Sequence, residues 1–357
     1  MSQEDSQQFE SRKKDHIKWS LDSESQVDLS LSQVLSLNNH PFPNLDFEDI
    51  QLESPSKFFN GFKPLMVSSM TGGHDQAFKI NEDLMKACES QKWLFAMGSL
   101  RRELEEVTLK DKEQKRLIEW ESLTKNYNGV AIGNLGLAQV ISHPLESIKE
   151  LCSRLKLSGL YVHLNPLQEV MQPEGTPQFK GGLKSIETLC SKLDIPVFLK
   201  ETGSGFSKQS LKELEGVSLG AVDVSGLGGT HWGRVEGLRF KDQDAMKAQA
   251  SRTFKNWGVT TFDSLISYKE LYGADKDSFE VWASGGLRSG LDAAIGFSLG
   301  ASICGYAKPF MEAALVGQNE IENKMTLIEF ELKTALFCTN SSCIIELQGQ
   351  EGALSWV

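Results

Sequence analysis

The chain has 357 residues, 37 Lys and Arg against 48 Asp and Glu for a formal charge of −11, and 40% apolar residues. The apolar share excludes a disordered chain, and the acidic balance excludes a general nucleic-acid binder, which needs a basic face. No apolar run reaches membrane-spanning length, and the polar opening Met1-Ser2-Gln3-Glu4-Asp5-Ser6 lacks a signal-peptide core, so the expected setting is the cytoplasm, with no membrane and no nucleic acid as partners.

Residues 1–61 are rich in Ser, Asp and Gln, and Pro41, Pro43 and Pro55 interrupt any regular run. They predict an extended arm with at most short helices. The body, 62–357, changes character. Short β-like runs occur at Leu65–Ser68, Leu94–Met97, Val130–Gly133, Leu160–His163, Val197–Lys200, Ala221–Val224, Val281–Ser284 and Ile303–Tyr306, which makes eight. Helix-period stretches separate them. Leu145, Ile148, Leu151, Cys152 and Leu155 share one helical face behind Pro144, read as the first helical residue. Leu291–Leu299 reads as a helix stopped by Gly300. Eight strands alternating with helices predict an α/β fold, a (β/α)8 TIM barrel, with the arm packed on or near its mouth. The rival is an open doubly wound sheet, but no Gly-x-Gly-x-x-Gly follows the first strand.

The connection from Asp223 to Val281 is far longer than the rest and opens Ser225-Gly226-Leu227-Gly228-Gly229-Thr230-His231-Trp232. Its glycines permit a hinge, and Trp232 and Glu236 are unusual in a mere linker, so it reads as an active-site lid, a long loop after the sixth strand. Cys88, Cys152, Cys190, Cys304, Cys338 and Cys343 form no Cys-x-x-Cys pair and read as reduced thiols.

In such a barrel the strand C-terminal ends and the loops after them build the site. The strands then deliver, in order, Ser68 to Gly73; Gly98, Ser99 and Arg101; Asn134; His163, Asn165, Gln168 and Glu169; Lys200; Asp223 and Ser225; Gly285-Gly286-Leu287-Arg288; and Ala307-Lys308-Pro309. The glycine turn after the seventh strand precedes a helix and suits a phosphate. Lys200 ends an apolar strand, where it needs an anion: an electron-rich cofactor edge, or a salt bridge to Asp223 or Glu201. Arg12-Lys13-Lys14-Asp15-His16 in the arm is either a solvated charge run or, folded over the mouth, a clamp for a diphosphate.

These residues resemble one family, the type 2, FMN-dependent isopentenyl-diphosphate isomerases. The likeness runs from about Arg12 to the C-terminus. Its most specific segment is His163-Leu164-Asn165-Pro166-Leu167-Gln168-Glu169 followed by Gln172-Pro173-Glu174-Gly175, beside Arg12-Lys13 with His16, Met70-Thr71-Gly72-Gly73, Gly98-Ser99-x-Arg101, Lys200-Glu201, Gly228-Gly229-Thr230, Trp257-Gly258 and Ser284-Gly285-Gly286-Leu287-Arg288. The resemblance implies a homo-oligomeric FMN barrel, a homotetramer or homo-octamer. Ser69, Met70, Thr71, Ser99, Asn134, Lys200, Ser225 and Thr230 match flavin positions, and Gly285, Gly286, Arg288 and Ala307 match its phosphate site. Arg12, Lys13, His16, Ser99, Arg101, His163, Asn165 and Gln168 match positions for the substrate, isopentenyl or dimethylallyl diphosphate. Gln168, Lys200 and Glu236 carry the catalytic expectation, and Glu169 that of Mg²⁺ on the diphosphate. The implied reaction is a 1,3-proton shift with reduced FMN, primed by NAD(P)H. Leu100, Leu227, His231 and Lys308 depart from the family's commoner residues, Lys308 standing where glycine is usual. The competing readings are another FMN barrel oxidoreductase, of the 2-hydroxy acid oxidase or dehydrogenase type, and a non-catalytic flavin-binding protein.

Overall fold

The computed structural model describes residues 15–70, 75–109, 114–240, 244–273, 275 and 277–357. Arg12, Lys13 and Thr71 lie outside them. Eight parallel strands close into a barrel: β2 (Leu65–Val67), β3 (Leu94–Ala96), β4 (Val130–Gly136), β5 (Gly159–Leu164), β6 (Val197–Glu201), β7 (Ala221–Asp223), β8 (Glu280–Ala283) and β9 (Ile303–Tyr306). Closure comes from β2 pairing with β9, with Leu65 opposite Cys304 and Val67 opposite Tyr306. The eight sequence runs all became these strands. The third is longer than expected, so Asn134 lies within β4 and not in the loop behind it.

The two-residue period of a strand divides its side chains between two cores. Met66, Leu94, Ala96, Val130, Ile132, Tyr161, Phe198, Ala221, Trp282 and Ile303 fill the barrel interior, with Phe59 among them. The Phe198 and Trp282 rings lie 4.4 Å apart within it, tilted by 44°. Their neighbours on each strand, such as Val67, Phe95, Leu199, Val222 and Ala283, join the outer core beneath the helices. Each fully buried large side chain here contributes about 1.5–3 kcal/mol of hydrophobic stabilisation.

Two helices test the expected boundaries. The first runs Leu145–Arg154 with Pro144 as its N-cap in extended conformation, one position earlier than the reading of Pro144 as the first helical residue. The second runs Gly290–Ser298, opened by a capping box between Ser289 and Asp292 and followed by Gly300 at φ +103°.

The arm is helical at 15–21, with 3-10 turns at Ser23–Ser25, Leu31–Gln33 and Phe47–Asp49. Its strand β1 (Leu35–Leu37) pairs antiparallel with β10 (Leu354–Trp356) at the other end of the chain. Leu31, Leu35, Ile50 and Leu52 pack into the outer core. The long connection after β7, the sixth barrel strand, read from sequence as a lid loop, carries helices Trp232–Arg239, Ala245–Thr253 and Thr261–Tyr272. Among the described residues no helix is long and apolar enough to cross a membrane. The six cysteines are free thiols.

Candidate active site

The interior register that places Phe198, Tyr161, Ala221 and Trp282 in the barrel also dictates what stands above them. Two residues on, the same face presents Lys200, His163, Asp223 and Ser284. Two residues beyond Met66 and Ile132 stand Ser68 and Asn134. A polar layer therefore caps the apolar plug. Asp223, fully buried, is its hub. Lys200 Nζ donates to Asp223 Oδ2 at 2.8 Å and to Ser284 Oγ at 2.9 Å, Ser284 Oγ donates to Asp223 Oδ1 at 2.6 Å, and Tyr161 OH donates to Oδ2 at 3.1 Å. Burial and the Asp223 charge push the Tyr161 phenol well above its usual range, so it stays a donor. The salt bridge to Asp223 exists, and Lys200 also faces the cavity above.

That cavity, about 660 Å³, sits over the strand ends and falls within the size range of small-molecule sites. It is lined by the described candidates His16, Ser69, Met70, Ser99, Arg101, Asn134, His163, Asn165, Gln168, Glu169, Lys200, Ser225, Thr230, Gly285, Gly286, Arg288 and Ala307. Glu236 does not line it and lies behind Gln168. The hydroxyls of Ser68 and Ser69, both on the cavity wall, are buried without a hydrogen-bond partner among the described residues. Such orphaned donors mark a place where a polar ligand completes the bonding.

One connected network crosses the mouth. His16 Nε2 donates to Glu236 Oε1 at 3.0 Å, and Gln168 Nε2 donates to the same oxygen at 3.0 Å. Asn165 Nδ2 donates to Gln168 Oε1 at 3.1 Å and to Glu169 Oε1 at 2.9 Å. Thr176 N donates to Glu169 Oε2 at 2.6 Å. The Gln168 amide is thus held at both ends. Burial pushes the Glu236 carboxyl up, but His16, Arg239 and the Gln168 amide outweigh it and hold the group at about 2. His163 Nδ1 donates to Asn134 Oδ1 at 2.8 Å, which fixes its tautomer. Of the arm's charge run, His16 is buried against the rim, its ring 5.1 Å from that of Trp232.

At the opposite end the Gly285–Gly286 turn has φ of +92° and +87°. A β-carbon on Gly286 would sit 2.7 Å from Leu29 O and from Gly228 C. Glycine is therefore required both by conformation and by close packing on the 226–229 segment. The N–H groups of Arg288 and Ser289 are taken by Asp292 Oδ2 at 2.9 and 3.1 Å. Arg288 reaches Asp28 of the arm through Nη1 and Gly228 O through Nη2. Ser225 adopts φ +35°, a strained conformation at a strand end of the kind that gathers at functional sites. Thr230 meets Gln26 Nε2 at 3.2 Å. Among the family departures, Lys308 begins the helix Lys308–Val316, lines the cavity and stands 3.9 Å from Glu312. His231 caps the Trp232–Arg239 helix, accepting from Arg234 N and donating to Trp257 O at 3.0 Å; burial lowers its pKa.

Among the described residues no three His, Cys, Asp or Glu side chains gather to hold a metal. Glu169 offers one carboxylate, which suits a Mg²⁺ ion that takes its remaining oxygens from phosphate and water. Sequence reasoning missed Ser284 as a site residue, and it missed Gln139 and Lys324, which also line the cavity. Ser284 carried a signal: it stands two residues past an interior tryptophan. Gln139 and Lys324 carried none.

Residues 165–350 match the family model of the FMN-dependent dehydrogenases. Over 343 residues the sequence is 44% identical to an isopentenyl-diphosphate delta-isomerase of Legionella pneumophila (strain Lens), covering 96% of this chain and 97% of that protein. It is 41% identical over 355 residues to an isopentenyl-diphosphate delta-isomerase of Bdellovibrio bacteriovorus, covering 98% and 99%. A flavocytochrome b2 mutant solved with sulfite superposes with a TM-score of 0.65 at 15% identity, over 98% of this chain and 79% of that one. A mandelate oxidase variant with 2-hydroxy-phenylacetamide gives 0.63 at 17%, over 99% and 98%. At these identities the two structures establish a shared fold.

Proposed function

The chain is an isomerase belonging to the isopentenyl-diphosphate delta-isomerase family, and from that premise we propose that it interconverts isopentenyl and dimethylallyl diphosphate by a 1,3-allylic proton shift, with reduced FMN, Mg²⁺ and NAD(P)H as priming reductant. The cavity's residues fit the flavin: the Ser68 and Ser69 hydroxyls, without a partner among the described residues, and the Lys200 ammonium all line it. Ser69, Met70, Ser99, Asn134, Lys200, Ser225 and Thr230 would hold its ring system, and Gly285, Gly286, Arg288 and Ala307 its phosphate. When bound, the reduced cofactor supplies an electron-rich face against developing positive charge and a site of proton exchange.

The rest of the work falls to side chains. Protonating an unactivated alkene develops a tertiary cation, which water would capture, so the mouth must exclude water. His16 and Trp232, in contact at the rim, serve that purpose, with the connection after β7 acting as a lid. Arg101, His163 and Ser99 bind the diphosphate end, together with Arg12 and Lys13. Glu169 would hold Mg²⁺ there. Lys200, fixed by Asp223 and Ser284, favours an anionic cofactor edge. Gln168, a neutral amide and a poor base, positions the reacting carbons. Glu236, its carboxyl held low by His16, Arg239 and the Gln168 amide, keeps Gln168 and His16 in place beside the reacting carbons. The reading extends to self-association as a homotetramer or homo-octamer in the cytoplasm, for which the exposed apolar side chains of Leu315, Val316 and Phe330 offer surface.

The observation that carries this reading is one cavity shared by Gln168, Glu169, Lys200 and the Gly285–Gly286 turn. Purified protein supplied with FMN, Mg²⁺ and NADPH is expected to convert isopentenyl diphosphate. Oxidation of a 2-hydroxy acid without isomerisation would replace the reading with an oxidoreductase. Tight flavin uptake with no turnover of either would leave only a binding protein.

A further inference from the structure

One charged group in the site region has no part in the chemistry so far. Arg239 ends the Trp232–Arg239 helix, and its side chain is 4% exposed. Nη1 donates to Glu236 Oε2 at 2.5 Å, and Nη2 donates to Glu174 Oε1 at 3.1 Å. Its Nε has no partner among the described residues, and the guanidinium lies 4.7 Å over the Phe240 ring. A buried cation is costly unless paired. This one is paired with two carboxylates from different parts of the chain. A planar fork suits that task, whereas a lysine offers a single point of charge.

Each carboxylate leads to a different arm of the site. Glu236 holds Gln168 and His16. Glu174 belongs to the turn between Gln172 and Thr176, which is closed by Gly175 N donating to Gln172 O at 3.0 Å. That turn is pressed onto Glu169: a β-carbon on Gly175 would fall 1.9 Å from Glu169 O, and Thr176 donates to Glu169 through both N and Oγ1, at 2.6 and 3.3 Å.

We propose that Arg239 is a positioning residue that clamps the Glu169 arm, with its 172–176 turn, to the Gln168–Glu236 arm, so that the metal-holding and carbon-facing groups stay in register. The assignment of those two arms rests on the function proposed above. Without the guanidinium, Glu236 keeps its His16 and Gln168 contacts while the 172–176 turn loses its ion pair with Arg239.

The test uses the full-length, FMN-loaded protein and the variants Arg239→Gln, Glu174→Gln and Arg239→Lys. Amide hydrogen exchange is read in segments 172–176 and 232–239, alongside kcat and the Mg²⁺ concentration for half-maximal activity. Arg239→Gln is expected to speed exchange in both segments by about tenfold, raise the Mg²⁺ requirement several-fold and lower kcat. Glu174→Gln should affect segment 172–176 and the Mg²⁺ requirement, with kcat at saturating Mg²⁺ within about twofold of wild type. Arg239→Lys should recover kcat more fully than Mg²⁺ affinity, since a single ammonium serves one carboxylate at a time. Unchanged exchange in Arg239→Gln would overturn the clamp whatever the activity. Faster exchange with unchanged kcat and Mg²⁺ requirement would overturn the positioning role. If Arg239→Gln does not fold, Glu174→Gln, which leaves the guanidinium on Glu236, decides the matter through segment 172–176. A wild-type protein that leaves isopentenyl diphosphate untouched fails the functional reading, while hydrogen exchange still decides the clamp.

Discussion

Replacing Asp223 by Asn removes one charge from the hub of the polar layer and leaves the Lys200 ammonium among buried groups. The two side chains are 0% and 7% exposed and 2.8 Å apart. At an effective dielectric constant of about 20, unit charges at that separation attract by about 6 kcal/mol, much of it offset by the cost of desolvating both. Breaking a buried pair from one side costs about 3–5 kcal/mol, because the partner remains charged and uncompensated. The Asp223→Asn and Lys200→Met variants should each lose about that much in urea unfolding of the flavin-free protein. The double variant should lose well under the sum, since it buries neither lone charge. Additive losses across this cycle, or single losses below about 1 kcal/mol, would refute the view that the pair is a mutually dependent buried unit.

Glu169→Gln is expected to raise the Mg²⁺ requirement of isomerisation at least several-fold while flavin stays bound, checked by activity against Mg²⁺ concentration and by the absorbance of retained FMN; unchanged metal dependence would remove Glu169 from that role. Gln168→Ala should lower kcat by about tenfold or more with KM within about threefold of wild type, and full activity would remove the amide from the mechanism. Glu201 supplies a pH prediction. Burial pushes its carboxyl from 4.5 up to about 7, against hydrogen bonds from the N–H groups of Ser204, Thr202 and Gly205 and the charge of Lys200. Between those values the folded chain holds a proton that the unfolded chain has released, so stability is lost as pH rises through the window, by about 3 kcal/mol in all. Denaturant titrations at pH 5 and pH 7.5 should show this fall in the wild type relative to Glu201→Gln, and parallel behaviour of the two proteins would contradict it.

The barrel was legible because each strand is a short apolar run and the helices between them keep their own period. The strand-end rule then carried the reading from fold to site: Ser69, Ser99, Asn134, His163, Lys200, Ser225 and Gly285 all open on one cavity. Partnerships were not legible. Arg239 meets Glu174 from 65 positions away, and His16 meets Glu236 from 220. No local periodicity encodes which distant carboxylate a cation will find. Lys200 shows the halfway case: its position implied an anion, and Asp223 and Glu201 stood equally available until the pleat put Asp223 beside it and Glu201 under the 202–205 turn. The helices of the 223–281 connection were hidden by its glycine-rich opening, and the β1–β10 pair by the distance between its two members.

That pairing has a consequence for how the protein is made. The segment bearing His16 is seated at one point by Val27 N and Leu29 N donating to Gly229 O and Gly228 O, and farther along by β1 on β10, with Val357 N donating to Val34 O. The residues it leans on are synthesised long after it. The inner anchor becomes available once residues 228–229 have been made and the outer one only after 354–357, so removing those four residues would loosen the strap at its outer anchor while leaving the barrel wall intact.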